Sequence, residues 1–181
     1  DSPTVTATRN AYLLFLGKAK SAQEALAGLS ERLQTLEERG DRSSAAYCDA
    51  LHSLCALMAN LIPFAPTEPT ARQLIALARQ HPEYGTGMIA QMLSLGGWIL
   101  AQTGALSEGM NLQEEALGYS RMAPDVTECV IKVRKAEIML RLGYRVEAVK
   151  LASHALETAA EKYPDAALQV AFARRILEEC S

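Results

Sequence analysis

With 181 residues, 49% of them hydrophobic and 22% charged, the chain can bury a core without disulfide or metal staples. Its net charge of −3 gives no global basic field for nucleic acid. No apolar run approaches the ~20 residues a membrane-spanning helix needs, and the low aromatic content, 6%, suits close-packed helices with small residues at their contacts.

Residues 1–5 read as frayed, and from Ala7 to Glu38 the apolar period is helical. Gly17 is a point at which this segment divides in two, and Gly40 ends it, as a glycine just past a helix does. Its second half carries a heptad-like stripe, Ala22, Leu26, Leu29, Leu33 and Leu36. Two partners are open to that stripe: the next helix, or the same stripe of a second copy in a homodimer. Asp41, Ser43 and Ser44 offer N-caps to a helix whose apolar face includes Ala46, Ala50, Leu51, Leu54, Cys55, Met58 and Leu61. Pro63 and Pro66 stop it, and Thr67-Glu68-Pro69 restarts the chain as a short helix burying Leu74, Ile75, Leu77 and Ala78. After a loop at 81–85, residues 86–103 and 106–122 form a hairpin turned at Gly104, and residues 126–142 and 145–162 form another turned at Gly143. A last helix, 165–180, has Arg174, Arg175, Glu178 and Glu179 on one side, the polar back of a terminal capping element. Gly96-Gly97 lies inside a helix, where each glycine costs about 1 kcal/mol relative to alanine. Close backbone approach by a paired helix would repay Gly97, and Gly96 is read as a bend beside Trp98.

The two hairpins repeat each other. Gly97 and Ala136, Gly104 and Gly143, Gly109 and Ala148, and Ala116 and Ala155 are each 39 residues apart, and Pro124 and Pro164 follow at an offset of 40. A period of this length in helical composition means stacked helical hairpins.

Over 86–164 the pattern resembles tetratricopeptide repeats, in which a small residue marks the helix crossing, a glycine the turn, and two small residues seven apart the second helix. Gly97, Gly104, Gly109 and Ala116 take these roles in one unit, and Ala136, Gly143, Ala148 and Ala155 in the next. The units are longer than the family's usual 34 residues. They are similar to the long variants of kinesin light chains and of the helical sensor domains of large bacterial transcription activators. The first helices lack the family's usual aromatic pair, and residues 41–82 fit only as a degenerate unit through Met58, Ala65 and Thr70. The resemblance implies one all-α domain, 1–181, of antiparallel hairpins (41–82, 86–124, 125–164) between an N-terminal element, 6–40, and the capping helix, stacked as a right-handed superhelix, an α-solenoid.

It further implies a concave groove lined by the first helices, with Gln91, Ser94, Trp98 and Gln102 from one, Val130, Val133, Glu137 and Arg141 from the next, and His52, Cys55 and Ala59 upstream. The predicted partner-binding residues are therefore Gln91, Ser94, Trp98, Gln102, Val133, Glu137 and Arg141. Trp98, the single tryptophan, either fills the core between repeats or, if exposed, anchors a ligand. Arg141 would receive a peptide carboxylate. The function expected is a scaffold that binds a protein or peptide, without reaction or cofactor. The alternative is a ligand-sensing or oligomerising part of a larger regulator.

Nothing in the sequence frames a catalytic group. Cys48, His52 and Cys55 are spaced i, i+4, i+7, but the two thiols stand about 10.5 Å apart along a helix at ~1.5 Å per residue, too far to share a zinc ion or a disulfide. His52, His81 and His154 lack a nucleophile motif, and no glycine cluster has phosphate-loop spacing. No catalytic residue and no metal is therefore expected. Reduced thiols point to the cytoplasm, and a chain starting at Asp1 is read as a processed or excised piece. Lys132, Arg134, Lys135, Arg141, Arg145 and Lys150, partly offset by Glu128, Glu137 and Glu147, form a solvated mixed-charge face or a patch for an acidic partner.

Overall fold

The structure, a computed structural model, describes residues 22–61, 67–122, 126–163, 173–174 and 176–178. They form α1 (Ala22–Glu38), α2 (Ala45–Leu61), α3 (Glu68–Gln80), a 3-10 turn (Pro82–Tyr84), α4 (Thr86–Gln102), α5 (Leu106–Ser120), α6 (Val126–Arg141) and α7 (Arg145–Lys162). Among the described residues there is no strand. The segment before Ala22, with Gly17, lies outside the described residues, as does most of the final helix, of which 173–174 and 176–178 are helical.

The turns follow from glycine. Gly40, Gly104 and Gly143 have φ of 78°, 110° and 88°, a region that side chains disfavour. Each closes its helix with the same pair of bonds. Gly104 N–H reaches Ala101 O and Ala105 N–H reaches Leu100 O; Gly143 and Tyr144 repeat this on Leu140 and Met139, and Gly40 and Asp41 on Glu37 and Leu36. This double closure satisfies carbonyls that a helix end otherwise leaves bare.

Each helix packs on the next, and α4 also packs on both α2 and α6. The α4–α5 contact is glycine on glycine. A Cβ at Gly97 would stand 2.6 Å from Leu112 Cβ, and one at Gly109 would stand 2.6 Å from the Gly97 carbonyl oxygen. Gly96, which the sequence left without a packing role, has one. A Cβ there would meet the Ile75 side chain at 2.5 Å and the Ala71 carbonyl at 3.2 Å, so it admits α3 as Gly97 admits α5. In the second hairpin Ala136, Ala148, Ala152 and Ala155 are buried together, so the paired small residues occupy matching contacts.

α1 is tied into the same body. Leu33 is buried and Leu36 packs against the core, while Tyr47 Oη donates to Glu37 (2.7 Å) and accepts from Gln73 Nε2 (2.8 Å), joining α1, α2 and α3. Arg72–Glu108 (3.1 Å) and Arg79–Glu115 (2.7 Å) join α3 to α5. The partners advance by seven residues on both helices, so these two helices run parallel. Such exposed pairs add at most about 1 kcal/mol each and serve mainly to fix register. Cys48, Cys55 and Cys129 are buried, and burial pushes the Cys55 thiol up to about 12.

Candidate functional site

α4 and α6 are joined by a ladder of polar bonds. Gln91 Nε2 donates to Thr127 Oγ1 (3.2 Å), and Arg134 Nη1 to Ser94 Oγ (3.2 Å). Trp98 Nε1 and Gln102 Nε2 donate to the two oxygens of Glu137, at 2.7 and 3.0 Å. Arg141 Nη1 donates to Ala101 O (2.7 Å) and to Gln102 Oε1 (2.9 Å). The partners advance together along both helices, so α4 and α6 are parallel and in register. α2 packs on α4 as well, and its His52 lies within electrostatic range of Arg134 on α6.

Six of the seven predicted groove residues belong to this ladder, but three of the seven do not face solvent. Ser94, Trp98 and Val133 are 0%, 8% and 3% exposed, which corrects the expected exposure of Ser94 and Val133 and puts Trp98 on the core side of the two readings open to it. α6 lies so close to α4 that positions 94 and 98 fall in the joint rather than beside it. Val133 turns the other way, into the apolar cluster of α6 and α7. Cys55 and Ala59 are likewise core. The accessible part of the face is Gln91, Gln102 and Glu137, each half-buried, with Arg141 exposed and His52 half-buried on α2.

Behind the ladder lies a pair that sequence reasoning passed over. Ser94 Oγ donates to Gln113 Oε1 (2.8 Å), and Gln113 Nε2 donates back to Ser94 O (2.8 Å). Gln113 is fully buried, and the exchange satisfies both ends of its amide. A signal was present: Gln113 shares a helix face with Gly109 and Ala116, a polar residue in an otherwise small, buried register. Arg134 was seen only as one member of a charge cluster. Its guanidinium carbon lies 5.8 Å from the centre of the Trp98 ring, within cation–π range.

Electrostatics at the junction are set by burial. It holds Arg134 down, to about 10, with Glu137 pulling the other way, so the group stays cationic at neutral pH. Burial, reinforced by the charge of Arg134, depresses His52 to about 4. The unfolded chain therefore takes up a proton on His52, near pH 6.5, that the folded chain refuses until about 4. The stability tied to His52 is complete above about pH 6.5 and is lost as pH falls through that window. Urea unfolding at pH 4.5 and 7 should show the wild type losing roughly 1–3 kcal/mol more than His52→Gln over this interval. Asp49, whose carboxyl burial pushes up, acts in the opposite sense but equally in both proteins, so it cancels.

Among the described residues no group of three or more His, Cys, Asp or Glu side chains could hold a metal ion. No described helix is long and apolar enough to cross a membrane. No family model matches this chain, and no curated protein matches it.

Proposed function

We propose that the chain is a protein–protein interaction module, a tetratricopeptide-like stack of helical hairpins that receives a peptide or partner protein on the face made by α2, α4 and α6. The observation that carries this reading is the parallel, in-register pairing of α4 and α6, with Gln91, Gln102, Glu137 and Arg141 along the joint. Successive hairpins stacked by translation present their first helices as one surface, which is how helical repeats bind extended ligands. The matching small residues of the two hairpins support the same stacking. Polar groups held by packed helices keep their positions without a ligand, so little ordering entropy is left to offset on binding.

A pull-down from the native cell tests this, comparing the wild type with Gln91→Glu/Arg141→Gln and with Arg72→Gln/Arg79→Gln on the α3–α5 side. The first variant should lose its partner by tenfold or more, about 1.4 kcal/mol, with its circular dichroism unchanged. The second should keep it. Loss by the second variant alone would move the binding surface to the α3–α5 side.

A further inference from the structure

We infer that Arg134 is a binding site for a carboxylate, held over Trp98 where α2, α4 and α6 meet. The inference rests on the reading of this face as the binding surface, and it names the chemistry that the face selects.

The observation is a half-buried cation that makes no ion pair among the described residues. Arg42, Arg72 and Arg79 each reach a glutamate. Arg32, Arg39 and Arg121 make no ion pair among the described residues, but they stand exposed to water. Arg134 is half-buried and makes no ion pair among the described residues; its one hydrogen bond goes to the neutral Ser94 hydroxyl. Glu137 is near enough to favour the charged form of Arg134, yet its two oxygens are turned to Trp98 Nε1 and Gln102 Nε2. Taking a guanidinium from water without pairing it is costly, and such groups gather where a ligand completes them.

The donors left over are not sealed. A guanidinium carries five N–H groups, and Arg134 uses one nitrogen, on Ser94. Among the described residues the sealed side-chain polar atoms without a partner are Asp49 Oδ1 and Thr67 Oγ1. No nitrogen of Arg134 is among them, so those not bonded within the protein keep accessible surface.

The group is also held in place. Ser94 Oγ gives its proton to Gln113 Oε1 and offers a lone pair to Arg134, while Gln113 Nε2 fixes the Ser94 carbonyl. Trp98 backs the guanidinium. One face and one nitrogen are thereby fixed, and the remaining edge presents the planar fork that matches a carboxylate. Glu137 beside it disfavours a dianion, so a carboxylate fits better than a phosphate. His52 is neutral at physiological pH and adds no second positive charge that would favour one.

Trp98 is the single tryptophan, so its emission reports on this site alone. The full chain is titrated with acetate, with the acetyl-capped and amidated tripeptide Gly-Glu-Gly, and with inorganic phosphate, each against chloride at equal ionic strength. Acetate and the tripeptide should give a saturable change with midpoints on the order of millimolar, phosphate a weaker one. Arg134→Gln should weaken both carboxylates at least tenfold. Arg134→Lys keeps the charge and the stem but not the fork, and should weaken them severalfold; it also covers the case in which the glutamine variant does not fold. In nitrogen-15 spectra of the wild type, acetate should shift one arginine Nε–H signal, the one missing from Arg134→Lys.

A tripeptide midpoint well below that of acetate assigns the carboxylate to an acidic side chain of a partner, and the reverse order assigns it to a free organic acid; either supports the site. No saturation beyond the chloride control, equal midpoints in wild type and both variants, or tighter phosphate would each overturn it. The two readings fail separately. A captured partner together with a flat titration removes the Arg134 site and leaves the module. A saturable titration with no captured partner removes the module and leaves the site.

Discussion

Gly97→Leu should destabilise the protein by roughly 2–3 kcal/mol in urea unfolding, close to the upper end for overpacking. Two effects oppose each other. Leucine is the better helix former by nearly 1 kcal/mol, which acts in favour of the variant. Against it, the first atom added already stands 2.6 Å from Leu112 Cβ and 3.2 Å from the Gly109 carbonyl oxygen. Leu112 Cβ is fixed to its backbone, and the carbonyl belongs to α5 itself, so neither yields by rotating a side chain. Three further carbons must enter the same gap, and α5 has to move away from α4. Helix–helix contact through small residues is lost over the whole crossing. The matching control is Gly118→Ala on the same hairpin. Nothing lies within 4 Å of a Cβ there, so only the propensity gain remains, and stability should rise by about 0.5–1 kcal/mol. Full stability in Gly97→Leu would mean that α4 and α5 do not meet at this glycine.

This contrast also shows what a sequence discloses. Gly97 was legible because its partner, Gly109, lies in the same hairpin and both recur 39 residues later as alanines. Gly104 and Gly143 were legible because a helix that ends and reverses needs a left-handed residue. Gly96 was not, since its partner Ile75 lies on α3, upstream of the segment in which the repeat is clear. Ser94 and Val133 were expected on an open groove, and Trp98 either there or in the core; all three are buried. Period tells which side of α4 turns toward α6; it does not tell how closely α6 approaches. That distance decides whether Ser94 and Trp98 line a groove or fill a joint. Gln113 and Arg134 were missed for a related reason. A buried polar group is tolerated only with partners in hand, and its partners here sit on other helices.

Trp98→Ala should cost about 3–5 kcal/mol, the range for removing a large buried aromatic. That makes it the most damaging single substitution on this face. Trp98 is 8% exposed and belongs to the cluster that joins α2, α4 and α5, with Ile131 of α6. Truncation opens a cavity in the joint between α4 and α6. It also takes away the N–H that Glu137 Oε2 accepts at 2.7 Å and the ring beneath Arg134, so the charged groups of the joint lose their backing along with the apolar contact. Trp98→Phe separates these contributions. It keeps most of the ring and removes the donor, so its cost should fall to about 1–3 kcal/mol. Urea unfolding followed by circular dichroism measures both. The order, phenylalanine milder than alanine, distinguishes a packed residue from a surface contact, for which both variants would stay within ~0.5 kcal/mol of the wild type. It also determines which variants can report on binding. A partner lost by Trp98→Ala would report a loosened joint between α4 and α6, whereas a partner lost by Gln91→Glu/Arg141→Gln, with the buried centre of the joint at Ser94 and Trp98 unaltered and urea stability retained, would report the face itself.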